Sequence, residues 1–325
     1  MKLPRRKVLS LAASACAFPQ ALGIAWAQAY PARPVRIMVG FAPGGSADII
    51  ARLMAQWLSQ RLGQQFIVEN RTGAGTNIAT EAVTRAPPDG YTLLLITASN
   101  FINATLYEKL SFNFIRDIAP IVLLSREPNV MVVHPSVPAN TVPEFIALAR
   151  ANPGTITMAS GGTGAPSHVT GELFKMQTGV NLVHVPYRGA GPALSDLLGG
   201  QVQVYFAPMS AAVEYVRAGQ LRALAVTAAA RSEALTNVPT VSEFVPGFEA
   251  SQWYGIGAPR HAPAEIVEKL NMEANAFLSD PMVKARLADL GETALGGSPA
   301  QFGKLIAEET EKWGRVVRFS GAKAD

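Results

Sequence analysis

Apolar and polar residues occur in blocks along the chain, and the first clear block predicts a strand, a turn and a helix. Val35–Val39 form a short apolar run that suits a buried strand. A break rich in glycine follows at positions 40–45, and apolar residues then return at helical spacing through residues 49–62. We expect Ser46 to cap this helix. Asp48 falls in the first turn, where a negative charge suits the helix dipole.

The same strand–turn–helix pattern recurs. Further strands are predicted at Gln65–Asn70, Tyr91–Thr97, Ala119–Leu124, Val130–His134, Thr155–Ala159, Leu182–Val185, Val202–Phe206 and Arg222–Val226. Several of them run into glycines or small polar residues just before a predicted helix. The C-terminal part instead predicts three amphipathic helices, at Glu265–Ser279, Met282–Leu290 and Pro299–Phe319. This alternation is typical of a doubly wound α/β fold, in which ligands bind beyond the carboxyl ends of the strands.

Glycine-rich turns occur in both halves of the chain, which predicts two α/β domains that face each other across a cleft. We expect domain 1 to comprise residues 30–126 and 251–325, and domain 2 to comprise residues 127–250. Hinges are expected near Ser125–Asn129 and Gly247–Trp253. A cleft between domains is a favoured site for a small ligand.

Residues 1–27 have the pattern of an export signal. A basic start with Arg5-Arg6 precedes a run of apolar and small residues, and Ala25–Ala27 forms an A-x-A cleavage site. The arginine pair leaves both the Sec and the twin-arginine route open. We therefore expect a periplasmic protein.

Removing this segment changes the composition. It contains four of the 28 Lys and Arg residues and none of the 24 Asp and Glu residues, so the rest of the chain has balanced charge. That balance argues against a nucleic acid or an anionic membrane as partner. The only cysteine, Cys16, also lies in the segment. The mature chain therefore cannot form disulfides or cysteine metal sites.

Motifs for catalysis are few. The chain contains no P-loop, no nucleophile elbow and no H-E-x-x-H, and its four histidines are scattered. Ser160 and His168 are the one nucleophile–base pair to consider, so a periplasmic hydrolase is one alternative. The other is a polar helix N-terminus beside a histidine. We predict no catalytic residue, no metal and no cofactor.

Two of the turns instead suit an anion. Phe41–Asp48 and Ser160–His168 each join a predicted strand to a helix through glycines, which aims free backbone N–H groups at one point. Their other polar residues are mainly small hydroxyls, with no convincing base. These groups can bind an anion but provide no means to catalyse a reaction of it. A turn that uses glycine only for its geometry is the alternative.

The order of several segments resembles one known family, the periplasmic solute-binding proteins of tripartite tricarboxylate transporters, also called the Bug family. The resemblance starts at Tyr30 and is carried by YPARPVRIMVGFAPGGSADIIAR, VENRTGAGTNIAT, PPDGYTLLL, SGGTGAPSHVTGELF, HVPYRGAGPALSDLLGGQVQV, NVPTVSEF, GFEASQWYG, IVEKLN and LGETALGGSPAQF.

The resemblance implies a two-domain fold of the type II periplasmic binding proteins, a Venus flytrap with its ligand cleft between the domains. It implies a monomeric receptor, not an enzyme, that captures a small carboxylate and delivers it to inner-membrane transporter subunits. A periplasmic ligand sensor for a membrane signalling protein would use the same binding step and is the alternative.

The resemblance also implies a set of ligand-binding residues. In the family, a carboxylate lies between the two glycine-rich turns and is held by backbone N–H groups, small hydroxyls and bridging waters. Carried over to this chain, the set is Phe41, Pro43, Gly44, Gly45, Ser46, Thr97, Ser99, Asn100, Ser160, Gly162, Thr163, His168, Tyr187, Arg188, Gly189 and Ala207.

Two of these residues bear on the choice of ligand. Family members that bind amino acids commonly carry Asp where this chain has Ala207, and an ammonium group buried without a carboxylate is costly. We therefore expect a mono- or dicarboxylate without an amino group. Arg188 either pairs with a second carboxylate of the ligand or is a surface residue beside a turn.

Overall fold

The apolar runs form the strands of one continuous sheet in the computed structural model, which describes residues 30–324. In this part of the chain the strands are β1 (Val35–Val39), β2 (Phe66–Asn70), β3 (Thr92–Thr97), β4 (Ile118–Val133), β5 (Thr157–Ser160), β6 (Val183–Pro186), β7 (Val204–Pro208), β8 (Arg222–Val226), β9 (Ser251–Pro259) and β10 (Thr293–Ala294). Their order is β2-β1-β3-β9-β4-β7-β5-β6, with β8 and β10 also paired to β4. The predicted export signal lies outside the described residues.

Helices follow most of the strands. They are α1 (Ser46–Leu62), α2 (Asn77–Thr84), α3 (Ala98–Leu106), α4 (Phe114–Asp117), α5 (Val142–Ala151), α6 (Pro166–Thr178), α7 (Ala190–Leu198), α8 (Met209–Arg217), α9 (Ala264–Ser279), α10 (Pro281–Asp289) and α11 (Pro299–Ser320). None of these helices is long and apolar enough to span a membrane.

The sheet has two parallel parts, one at each end. β2, β1 and β3 run parallel and, with β9, form the part that we call lobe 1. β6, β5 and β7 run parallel and, with β8, form lobe 2. Because the carboxyl ends of parallel strands carry the following helices, each lobe presents helix N-termini at one edge. The α/β fold with two lobes agrees with the prediction.

A single long strand, β4, joins the lobes. Residues 118–128 pair with β9, and residues 129–133 pair with β7 and β8. The prediction of two separate strands with a break at Ser125–Asn129 is therefore wrong. Ser125, Glu127 and Asn129 interrupt the apolar run, but all three are buried and hydrogen-bonded, so the strand continues through them.

β9 lies where the sequence predicts only a hinge at Gly247–Trp253. Two glycines inside the strand hide it, because glycine weakens a strand pattern. The packing explains both of them. A Cβ on Gly255 would collide with the ring of Phe302 and lie 2.7 Å from the Val122 carbonyl oxygen, and one on Gly257 would lie 2.7 Å from Ile96.

The C-terminal helices complete both lobes, and the sequence predicts their bounds closely. α9 packs on α1 and β4 of lobe 1, as expected. α11 packs on α3 and β4 but also on α6 of lobe 2. Its buried Trp313 shares one apolar core with Phe101 of α3 and Phe174 of α6. The last helix therefore connects the two lobes as well as returning to lobe 1.

Candidate ligand-binding site

A cavity of about 450 Å³ opens between the lobes at the carboxyl ends of the strands. Lobe 1 and the C-terminal segment line it with Phe41, Gly44, Gly45, Ser46, Ala47, Ile49, Thr97, Ser99, Gln252, Tyr254 and Leu290. Lobe 2 lines it with Gly161, Ala165, Pro166, Ser167, Gly189, Ala190, Tyr205, Pro208, Ser210 and Ala211. Its volume is within the range of small-molecule sites, roughly 300–1,000 Å³.

Five helix N-termini converge on this cavity. The lining residues include the first turns or caps of α1, α3, α6, α7 and α8. The caps of α1, α6, α7 and α8 are Gly45, Ala165, Gly189 and Pro208, and none of them makes a side-chain capping bond. Among the described residues, those that line the cavity carry no charged side chain. The dipoles of these helices and the first N–H groups of α1 and α7 therefore dominate its electrostatics, and both favour an anion.

The first glycine-rich turn is held from behind by Asp48. Its carboxylate accepts hydrogen bonds from the Gly44 N–H at 2.9 Å, from Arg52 Nε at 2.8 Å and from Asn70 at 2.9 Å. Burial alone would raise the pKa of Asp48, but these bonds hold it below its usual value. Asp48 therefore shapes the turn and does not line the cavity.

Ser46 is the first residue of α1, and the cap is Gly45, so the prediction of Ser46 as the cap is wrong. Gly44, just before the cap, adopts a φ of 89°, which a residue with a side chain rarely does. Because Ser46 does not cap the helix, its hydroxyl faces lobe 2. Its Oγ lies 2.9 Å from Oγ of Ser210, which is a direct hydrogen bond between the lobes.

Thr97 and Ser99 line the cavity as predicted, but Asn100 does not. The Asn100 side chain accepts from the Thr97 N–H at 2.8 Å and donates to Thr80 Oγ1 at 2.8 Å. Asn100 is 3% exposed and fastens the start of α3 from inside the lobe.

Ser160 and His168, the one nucleophile–base pair considered from the sequence, do not contact each other as such a pair. Ser160 Oγ lies 2.6 Å from Nε2 of His184, and His168 Nδ1 accepts from the Gly164 N–H at 3.0 Å. The two imidazoles stack with their centres 3.7 Å apart. Burial, followed by the neighbouring His168, lowers the pKa of His184 to about 4. Ser160 and His168 are buried and brace the second glycine-rich turn, and neither lines the cavity.

Several other predicted residues also lie away from the cavity wall. Pro43 and Arg188 are exposed, and Gly162 and Thr163 are half-buried in their turn. The Tyr187 hydroxyl donates to Asp196 at 2.6 Å, and burial together with this carboxylate raises its pKa to about 12. Ala207 is fully buried inside lobe 2. Of the predicted set, the cavity brings together Phe41, Gly44, Gly45, Ser46, Thr97, Ser99 and Gly189.

The floor of the cavity is formed by Ser210, Gln252 and Tyr254, and none of the three was predicted from the sequence. Ser210 donates from its N–H at 2.9 Å and from Oγ at 2.6 Å to Glu127, and the Tyr254 hydroxyl donates to the same carboxyl group at 3.0 Å. Ser210 follows the end of β7, so the rule of small polar residues at strand ends would have found it. Tyr254 and Gln252 belong to the unpredicted β9, and no sequence signal marked them.

A second cleft, of about 570 Å³, carries more positive charge. Arg126, Arg231 and Lys284 contribute to its lining, as do the acids Glu233 and Glu292. Arg126 lies 3.5 Å from the Glu249 carboxylate and Arg231 forms two hydrogen bonds with Glu243, so both arginines are already paired. We therefore take the cavity between the lobes as the candidate site. Within residues 30–324, no three His, Cys, Asp or Glu side chains gather as a metal site.

Comparison with known proteins identifies the family of this chain. The model of the tripartite tricarboxylate transporter family receptor (TctC) matches residues 50–321. The protein BugT of Bordetella pertussis is 38% identical over 300 residues, which are 91% of this chain and 92% of BugT.

Two solved structures are similar over nearly their whole length. R. palustris Rpa4515, solved with adipate, is 36% identical with a TM-score of 0.83 and covers 90% of this chain and 99% of its own. MatC from Rhodopseudomonas palustris, with bound malate, is 32% identical with a TM-score of 0.79 and covers 89% of this chain and all of its own. These neighbours are solute-binding receptors and not enzymes, which removes the hydrolase alternative. The chain belongs to the tripartite tricarboxylate transporter receptor family.

Proposed function

We propose that this receptor works in the periplasm, where it captures a small mono- or dicarboxylate that lacks an amino group and delivers it to the membrane subunits of a tripartite tricarboxylate-type transporter. The observation that carries the proposal is the convergence of five helix N-termini on a cavity without charged lining residues among those described. Such a site stabilises a carboxylate through backbone N–H groups and dipoles.

The ligands of the neighbouring structures support the carboxylate class. Rpa4515 was solved with adipate and MatC with malate, and both are dicarboxylates. A cavity of about 450 Å³ has room for such an acid together with bridging waters, which adapt one site to acids of different length. We propose that Gly45, Ser46, Ser99 and Ala190 contact the carboxylate, while Gly44 and Gly189, whose N–H groups donate to Asp48 and to the Gly161 carbonyl, shape the turns around it.

The absence of an acidic lining side chain among residues 30–324 supports a ligand without an amine. An ammonium group in the cavity would be removed from water without a carboxylate to pair with, which is unfavourable. Ala207 is fully buried, so the preference for an acid without an amino group depends on the lining residues and not on that position. The carboxyl group just behind the floor, Glu127, is occupied by Ser210 and Tyr254.

We propose that the acid closes the two lobes around itself. The movable units would be residues 30–126 with 251–325, and residues 127–250, joined through β4. An acid that contacts both lobes binds the closed form more tightly and so shifts the population towards it. The bond between Ser46 and Ser210 would then be one of the contacts of the closed form.

The experiment is a thermal-shift screen of the purified protein against matched pairs of acids, with and without an amino group: malate with aspartate, and adipate with 2-aminoadipate. A ligand at about 100–1,000 times its Kd stabilises the folded protein by roughly 3–4 kcal/mol, which is a clear rise in Tm. We expect a rise with one of the amine-free acids and none with its partner. A rise confined to the amino acids would contradict the proposal.

A further inference from the structure

Glu127 is a buried carboxyl group directly behind the proposed ligand site. It lies on β4 where that strand passes from one lobe to the other, and it is 0% exposed. Its Oε1 accepts from Ser210 N–H and Oγ, at 2.9 and 2.6 Å, and its Oε2 accepts from the Tyr254 hydroxyl at 3.0 Å. Because Ser210 and Tyr254 both line the cavity, one side chain separates Glu127 from a bound ligand.

No cation compensates this carboxyl group within the described chain. The titratable groups that face it are Tyr254 of β9, Tyr205 of β7 and Glu292 of the segment after α10. Arg126, the neighbour of Glu127 on β4, points to the opposite side of the strand and lies 3.5 Å from Glu249. The environment of Glu127 therefore consists of hydroxyls, the Ser210 N–H at the start of α8 and a second acid.

Glu292 adds to the cost of a charge at this position. It is 5% exposed, and its Oε2 accepts from Ser125 Oγ at 2.5 Å. Burial raises the pKa of Glu127 against the opposing hydrogen bonds from Ser210, Tyr254 and Ser46. Burial and then the nearby Glu127 raise the pKa of Glu292 well above its usual value. An anionic ligand in the cavity would be a further negative charge close to this pair.

The two protonation states of Glu127 give the cavity floor different polarity. When Glu127 is ionised, the hydroxyl hydrogens of Ser210 and Tyr254 point at it, and only their oxygen lone pairs face the cavity. When Glu127 is neutral, its own proton can be donated from Oε2 to the Tyr254 oxygen. The Tyr254 hydrogen is then free to turn towards the cavity, on the side where Gln252 Oε1 lies 3.4 Å away.

We propose that Glu127 is a positioning residue for the bound acid: it takes up a proton when a carboxylate enters the cavity, and in its neutral form it turns the Tyr254 hydroxyl towards that carboxylate. This inference rests on the proposed function, because it needs an anionic ligand in this cavity.

The proposal predicts the direction in which the affinity for the acid changes with pH. If the bound carboxylate favours the neutral form of Glu127, binding consumes a proton, and the association constant falls as the pH rises through the titration of Glu127 in the free protein. With one linked proton the fall is at most about tenfold per pH unit. His184, whose pKa is lowered to about 4, remains neutral between pH 6 and 9 and adds no slope there.

The test is the Glu127→Gln variant. The amide can accept from Ser210 and donate to the Tyr254 oxygen, so it reproduces the neutral acid at every pH. The matched control is Glu273→Gln, a buried acid on α9 that pairs with Arg61 and does not line the cavity. Affinities for adipate and malate are measured by titration calorimetry between pH 6 and 9, each in two buffers with different ionisation enthalpies.

We expect the wild type and Glu273→Gln to bind more weakly as the pH rises and to take up a fraction of a proton. Glu127→Gln should bind at every pH about as tightly as the wild type does at the lowest pH measured, with a smaller proton uptake than the wild type. A wild-type slope in Glu127→Gln, or weak binding of that folded variant at every pH, overturns the inference. If the variant does not fold, the absence of proton uptake by the wild type overturns it. Failure of the wild type to bind either acid at any pH counts instead against the proposed function, and removes the basis of this inference with it.

Discussion

At the scale of single residues, the contact between Ser46 and Ser210 links the candidate site to both lobes. Ser210 Oγ donates to Glu127, so in this arrangement the hydrogen of the 2.9 Å bond between the two serines comes from Ser46. Ser46 also begins α1, one of the helices whose N-termini face the cavity. Ser46 therefore lines the cavity and, through its hydroxyl, forms a contact between the lobes.

Removal of that hydroxyl should weaken ligand binding. We expect Ser46→Ala to lower the affinity for the acid found in the screen by about 2- to 10-fold, because the closed form loses the hydrogen bond between Ser46 and Ser210, and such a bond contributes roughly 0.5–1.5 kcal/mol. Titration calorimetry measures the change. Arg188→Ala is the control: Arg188 is exposed and outside the cavity wall, so its affinity should stay within about twofold of the wild type. A large loss in Arg188→Ala with none in Ser46→Ala would place the ligand elsewhere.

Glu292 should make the protein less stable at alkaline pH. Burial and the nearby Glu127 raise its pKa in the folded state, so the folded protein holds this proton more tightly than the unfolded chain does. The stability that the proton provides is present at low pH and is lost as the pH rises from about 4.5 towards the folded-state pKa, by at most about 1.4 kcal/mol per pH unit.

Urea unfolding between pH 5 and 9 checks this prediction. The free energy of unfolding of Glu292→Gln should depend less on pH than that of the wild type. Glu243→Gln is a suitable control, because the Arg231 hydrogen bond lowers the pKa of Glu243 to about 2, below this range. An unchanged slope in Glu292→Gln would contradict the account of the buried acid pair.

At the scale of elements, α11 packs against β9 and β4, and two glycines test this packing with opposite signs. A Cβ on Gly255 of β9 would meet the ring of Phe302 and the Val122 carbonyl, so Gly255→Ala should lower the free energy of unfolding by about 1–3 kcal/mol. A Cβ on Gly303 of α11 would lie 3.4 Å from Pro120, an ordinary contact. Gly303→Ala should therefore raise the free energy of unfolding by about 0.5–1 kcal/mol. Urea denaturation measures both, and equal signs would contradict this packing.

Elements with strong periodicity could be predicted from the sequence, and those defined by tertiary contacts could not. Val35–Val39 and the three C-terminal helices follow from apolar spacing alone. β4 was divided in the prediction because Ser125, Glu127 and Asn129 look like loop residues, although their partners on other segments bury them within a strand. β9 was missed because its glycines are explained only by the neighbours that press against them.

The candidate site could likewise be predicted only in part. The glycine-rich turns were found because glycine before a helix is a local signal, and Gly44, Gly45, Ser46 and Gly189 do line the cavity. Side-chain partners were not predictable, since Ser160 bonds to His184, 24 positions away, instead of to His168. The resemblance to the family pointed to segments that contribute residues to the cavity, but it could not say which residue of each segment lines it.

At the scale of the whole molecule, we infer that helix dipoles and backbone N–H groups, and not cationic side chains, select the anion. Two clefts of the described chain contrast these possibilities. The cavity between the lobes has no charged lining residue within the described chain, whereas the second cleft is lined by Arg126, Arg231 and Lys284 together with Glu233 and Glu292. An acid that needs a cationic side chain would bind beside these three cations.

The most direct test is a crystal structure of the protein with the best amine-free acid from the screen. We predict a carboxylate group between the two glycine-rich turns, within hydrogen-bond distance of backbone N–H groups at the starts of α1 and α7. Density for the acid beside Arg126 and Lys284, with the cavity between the lobes occupied by water alone, would contradict the account.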